Sequence, residues 1–139
     1  MNGYFEPSPE QGRALMQRGL KGPVVMLNLL RFRARADYAA TPELTPSAPI
    51  SGREAYQIYM AQTAPLLSKS GGALSFLGEG GALVIGPEAE RWDLVLLVRH
   101  ASVEAFIGFA RDPAYLAGIG HRTAALEDSR LLPLTDRTP

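Results

Sequence analysis

Residues 24–32 read Val-Val-Met-Leu-Asn-Leu-Leu-Arg-Phe, and no other stretch restricts the possible folds as strongly. Side chains alternate between the two faces of a strand. Val24, Met26, Leu30 and Phe32 therefore share one face with Asn28, and Val25, Leu27 and Leu29 share the other with Arg31. A strand that is apolar on both sides belongs in the middle of a sheet. Asn28 sits inside one of those faces, and an unpartnered buried amide costs roughly 1–3 kcal/mol. Asn28 must have a partner, supplied either by the protein or by a ligand.

A second run of the same kind, Trp92 to His100, supplies another central strand. Two weaker segments read as edges. Ala73–Leu77 contains Ser75 and runs into Gly78-Glu79-Gly80-Gly81, which reads as a hairpin turn, with Ala82–Ile85 as a short strand extension. Leu131–Leu134 contains Pro133, which has no N–H for a ladder and so belongs at an edge. The helices are marked by their caps. Ser8-Pro9-Glu10-Gln11 and Ser51 with Glu54 are capping boxes, Ser102 caps a third helix, and Asp112-Pro113 opens a fourth that should run to about Glu127. The first helix should reach about Arg18, with Gly19 ending it. Pro65 should bend or break the second helix. Between Arg33 and Pro49, Pro42, Pro46 and Pro49 mark a long loop.

After the leading helix the order is strand, helix, strand, strand, helices, strand. This is a split βαβ pattern: an α+β, ferredoxin-like βαββαβ protomer with an antiparallel 4-1-3-2 sheet. The expected organisation is a single domain over 1–139, with an additional N-terminal helix in 1–22 and a Pro-rich loop at 33–50. Helices can cover only one face of such a sheet, yet Val25, Leu27, Leu29, Val95 and Leu97 make the other face apolar too. A second copy stacked sheet on sheet would cover it. The alternative cover is the leading helix together with the long loop.

Bulk composition removes several function classes. The 139 residues carry 14 basic and 14 acidic side chains, so no basic field exists for nucleic acid or an anionic membrane. There is no cysteine, which excludes disulfides and thiolate chemistry. No apolar run reaches the ~18 residues of a membrane span, and the start lacks a signal-peptide pattern. The expectation is a cytoplasmic protein with no membrane or nucleic-acid partner. The two histidines, His100 and His121, lie on different elements without metal-ligand spacing, so no metal or cofactor is expected.

What remains is a set of polar residues on apolar faces. Arg122 lies on a helical stripe with Tyr115, Ile119 and Leu126. A cation there needs a partner: a carboxylate such as Asp93 or Asp128, or an anionic or carbonyl-bearing ligand. Tyr56 and Tyr59 lie on the inner stripe of their helix, as core or as hydroxyl contacts. Trp92 is either core or an aromatic surface at a pocket mouth. His121 points about 100° away from Arg122, toward solvent or a helix cap. Asn28, Tyr56, Tyr59, Trp92 and Arg122 are the candidate ligand-binding residues, for a small anionic or aromatic molecule. No catalytic role can be assigned to any of them.

Three segments also carry a family resemblance: Val25–Phe32, Arg53–Tyr59 (Arg-Glu-Ala-Tyr-Gln-Ile-Tyr), and the run from Trp92 to Leu134. The last contains Val-Arg-His-Ala-Ser-Val-Glu-Ala-Phe, Asp-Pro-Ala-Tyr and His-Arg-Thr-Ala-Ala-Leu-Glu-Asp-Ser. Together they resemble the domain-of-unknown-function family 1330, of the dimeric α+β barrel group. The resemblance spans roughly residues 24–134. It implies a ferredoxin-like protomer and a homodimer whose sheets form a barrel, without implying a reaction. Related barrels include cofactor-independent monooxygenases, muconolactone-type isomerases and haem-degrading enzymes. Some use a first-strand asparagine with a tryptophan nearby, and Asn28 and Trp92 are similar to that pair. A haem site would also want an axial histidine, for which His121 is the helical candidate. The functional expectation is a small-molecule-binding protein or metal-independent enzyme, with a non-catalytic dimeric module as the alternative.

Overall fold

A computed structural model describes residues 3–139; Met1 and Asn2, which begin the leading segment, lie outside the described residues. The elements follow in the order α1 (Pro9–Gln17), β1 (Val24–Phe32), a 3-10 turn (Pro42–Leu44), α2 (Gly52–Lys69), β2 (Ala73–Ala82), β3 (Arg91–His100), α3 (Val103–Arg111), α4 (Pro113–Ala125) and β4 (Leu126–Leu134). The sheet is antiparallel with order β2-β3-β1-β4, which is 4-1-3-2 read from the other edge. The architecture is α+β and ferredoxin-like. Ser8 and Ser51 form their capping boxes with Gln11 and Glu54, and Ser102 and Asp112 cap α3 and α4.

Four local expectations need correction. First, Gly78–Gly81 is not a turn but part of β2, paired with β3 from Val95 to Trp92. A Cβ on Gly80 would collide with the Trp92 carbonyl, so glycine here permits two backbones to approach closely. The connection instead occupies residues 83–90, and of the expected extension only Ala82 is strand. Second, of the bend or break expected at Pro65 the break does not occur, and α2 is one helix through it. Pro65 and Ala61 are both exposed, so water can satisfy the carbonyl that the proline leaves without a donor.

Third, β4 starts at Leu126 rather than Leu131, directly after α4. Its polar first half is held by side-chain bonds, described below, which an apolar pattern does not register. Fourth, the leading helix and the long loop do not cover the second face of the sheet. Leu15 and Leu20 pack on Val24, Met26 and Val103, on the helix side. Ala36, Tyr38, Leu44 and Ile50 join the core formed by Leu30, Phe32, Tyr56, Leu94 and Leu126 on that same side.

The helix side therefore holds two core clusters, one over each end of the sheet. The other side stays open. Phe76, Leu97, Leu27 and Leu132 line up across all four strands there. The two edge members, Phe76 and Leu132, are 53% and 51% exposed.

Candidate functional site

Asn28 stands between the two core clusters. Its row across the helix face is Leu77, Leu96, Asn28 and Leu131. Leu96 is buried, while Leu77 and Leu131 at the edges are exposed, so the helices leave the ends of this row uncovered. Asn28 is half-buried. Its amide nitrogen donates to the Met26 carbonyl at 3.1 Å, and its side-chain oxygen takes no hydrogen bond from any described residue. The amide is tied down on one side and open on the other.

Arg122 comes in from α4 one row away. Its Nη2 lies 3.5 Å from Ser129 Oγ, and Ser129 pairs with Leu30, two residues along β1 from Asn28. Its Nη1 donates to the Phe5 carbonyl at 2.7 Å. Neither carboxylate expected as its partner takes that role. Asp93 accepts the Phe32 N–H at 2.8 Å and faces Arg91. Asp128 accepts the Tyr4 N–H and the Ser129 N–H and pairs with Arg31 and Arg130. Burial pushes the Asp128 carboxyl up, but the bonds from Tyr4, Arg130 and Ser129 outweigh it and hold its pKa below the usual range. Among the described residues, Arg122 is a half-buried cation in no ion pair.

Tyr56 and Tyr59 project from α2 toward this guanidinium. Tyr56 is 3% exposed; burial pushes its phenol up to about 12, against the opposing pull of the Arg122 charge. Tyr59 shares a hydrogen bond of 2.8 Å with the Tyr115 hydroxyl, and burial followed by the neighbouring phenols drives its pKa upward. Both phenols therefore stay protonated at neutral pH and can donate to an anionic or carbonyl oxygen. The rings form a continuous row. Phe32 meets Tyr56 at 5.5 Å, Tyr56 meets Tyr59 at 5.1 Å, Tyr59 meets Tyr115 at 6.0 Å, and Tyr115 meets Phe109 at 4.6 Å.

Trp92 is elsewhere. It lies four residues along β3 from Leu96, the partner of Asn28, so roughly 13 Å separates it from the amide. Its Nε1–H donates to Glu90, and Arg31 and Arg130 lie 5.6 and 5.1 Å from its ring centre. The structure thus brings Tyr56, Tyr59 and Arg122 together, with Asn28 one row off, and leaves Trp92 in a separate cation-lined cluster.

Three polar groups escaped the sequence reading. Tyr115 was visible as a member of the Arg122 stripe, but its bond to Tyr59 spans 56 positions and leaves no local signal. His121 does not face solvent; it is 6% exposed and shares a 2.7 Å hydrogen bond with Tyr38. The long loop returns over α4 through this bond and the Asp37 N–H to Ala124 carbonyl bond. His100 is 2% exposed between Phe106 and Phe109, and its Nδ1 has no partner among the described residues. Among the described residues no three His, Cys, Asp or Glu side chains gather as a metal site. No described helix is long and apolar enough to cross a membrane.

No family model matches the chain, and no curated protein matches it. Solved structures do. SnoaB, a cofactor-independent oxygenase from Streptomyces nogalater, shares 13% identity over 86% of this chain and 97% of its own, with a TM-score of 0.53. A dimeric ferredoxin-like protein from Jannaschia shares 13% over 83% of this chain and 100% of its own, also at 0.53. At these identities the likeness is one of fold alone. The RPA0582 protein of Rhodopseudomonas palustris, a protein of unknown function, shares 37% over 99% of this chain and 100% of its own, with a TM-score of 0.84. Its methylated form aligns over 100% of this chain and 98% of its own at 36% identity and a TM-score of 0.86. At that identity over the whole length, the chain belongs to the same family as the Rhodopseudomonas palustris RPA0582 protein.

Proposed function

We propose that this protein is a homodimeric small-molecule-binding protein of the dimeric α+β barrel type, in line with the family-1330 resemblance. Its pocket lies on the helix face around Arg122, Tyr56, Tyr59 and Asn28. The observation that carries the reading is Arg122, a half-buried guanidinium with no carboxylate beside it among the described residues and a protonated phenol next to it. Burying a charge is costly unless it is paired. A carboxylate ligand would supply the missing charge, the ring row would take a planar body, and the open Asn28 oxygen would accept from a ligand hydroxyl or amine. The two phenols are the hydrogen-bond donors to the oxygens of the ligand. Trp92 stands roughly 13 Å from Asn28 along β3, so this reading does not use the two as a pair.

The test is a titration with benzoate, read by calorimetry and by the proton spectrum of the tyrosine rings. Benzoate should bind and shift the Tyr56 and Tyr59 resonances, and Arg122→Met should weaken it at least tenfold. A second reading, a non-catalytic dimeric module, is favoured by the bonds that Asn28 and Arg122 already make to the Met26 and Phe5 carbonyls. Under that reading benzoate leaves the rings unmoved, and Arg122→Met changes only thermal stability.

A further inference from the structure

The loop at residues 83–90, which joins β2 to β3, presents Leu83, Val84 and Ile85 in succession. Val84 is 100% exposed and Ile85 is 92% exposed. Turn chemistry asks for Gly, Asn, Asp or Pro, and Gly86-Pro87 already provide it. Leu83 folds back beside Gly86, but Val84 and Ile85 at the tip have almost no cover within the protomer, and adjacent exposed apolar groups mark an interaction surface.

At the opposite end of the sheet the open face carries a groove of about 700 Å³. Val25, Leu97 and Leu134 form its apolar part, and Lys21, Arg99 and Arg137 stand around it. We propose that this groove receives the hairpin tip of a second copy of the chain. The inference rests on the homodimer reading above and adds to it which parts of the two copies meet.

Strand direction supplies the first argument. The groove lies where β1 begins and where β3 and β4 end, while the tip lies where β2 ends and β3 begins. When two such sheets stack face to face about a twofold axis that crosses the strands, strand directions reverse. Each tip then comes over the other copy's groove, and the contact is made twice. Charge supplies the second argument. Glu88 in the loop is in no ion pair among the described residues, and the three cations around the groove outnumber its one carboxylate, Asp136. An acidic, aliphatic tip fits a basic, aliphatic groove, which favours a second copy over an unrelated partner.

The chain has no cysteine, so disulfide trapping can be done on a clean background. A disulfide needs Cβ atoms roughly 4 Å apart, so it reports direct contact. The full-length variant Val84→Cys/Ser75→Cys places one thiol on the tip and one at the groove. In Val84→Cys/Ala64→Cys the second thiol sits on the exposed side of α2. Mild oxidation at low micromolar concentration should give a covalent dimer through the Ser75 position and none through Ala64. Independently, Val84→Asp/Ile85→Asp should raise the dimer dissociation constant at least tenfold while leaving the circular dichroism unchanged. Equal trapping at both positions, or an unchanged dissociation constant in the aspartate variant, overturns the hairpin contact and leaves the homodimer standing. A wild-type protein that is monomeric by light scattering overturns both.

Discussion

A single histidine gives the sharpest test of the interior. Burial between Phe106 and Phe109 lowers the His100 pKa below the ordinary 6.5, and its Nδ1 has no partner among the described residues. Below about pH 6.5 the unfolded chain therefore binds a proton that the folded chain refuses. Stability should be flat above that value and fall as pH drops toward the depressed folded pKa. His121 is shifted the same way by burial, so it adds to the slope, whereas the Asp128 contribution is lost only below its ordinary 3.8. His100→Leu removes one of the two histidine contributions and also the orphaned nitrogen. The variant should unfold at a higher temperature at pH 7, by the equivalent of about 1–3 kcal/mol, and its melting temperature should fall less between pH 7 and pH 5. Scanning calorimetry across that range decides it; a lower melting temperature at pH 7 would mean that a partner holds the imidazole in solution. At this scale the sequence was readable where a polar residue breaks a pattern, as Asn28 does in its strand and Arg122 on its stripe. It was silent where distant residues find each other, as Tyr59 finds Tyr115 and Tyr38 finds His121.

At the scale of elements, caps and strand quality carry the sequence reading, and close backbone approach limits it. The serine and aspartate caps locate all four helix starts because each satisfies orphan N–H groups within its own first turn. Gly80 misleads because the reason for it, the Trp92 carbonyl, lies across the ladder on another strand. Gly52 poses the same problem at the start of α2. Its N–H donates to the Arg33 carbonyl at 3.1 Å, and a Cβ there would strike the carbonyls of both Arg33 and Ala125. This one residue joins the start of α2, the end of α4 and the exit of β1. Helix propensity alone favours alanine over glycine, by up to ~1 kcal/mol in a helix interior. The collision is with backbone and cannot be relieved by a rotamer change. Gly52→Ala should therefore lower the unfolding free energy by about 1–3 kcal/mol. Urea denaturation measures it, and a stabilised variant would show that the junction is looser than its contacts indicate.

For the whole molecule, the 4-1-3-2 order follows from two facts visible in the sequence: which strands are apolar on both faces, and which contain Pro133 or Ser75. The same two-sided strands then demand a second cover, and both covers within the chain have gone to the helix side. Phe76, Leu97, Leu27 and Leu132 remain as an apolar band across the open face. A charge placed in that band separates folding from association. Leu132 is 51% exposed in the protomer, on an edge strand, so glutamate there costs the isolated fold little. In a sheet-on-sheet dimer the same carboxylate would be buried against the partner's Leu27 or its neighbours without a counter-charge, a loss of several kcal/mol. In the proposed homodimer, Leu132→Glu should therefore halve the mass seen by light scattering at micromolar concentration, with an unchanged far-ultraviolet spectrum and an unchanged benzoate response on the helix face. Retention of the dimer mass would place the interface elsewhere, and loss of the fold would mean that the band is closed within the protomer.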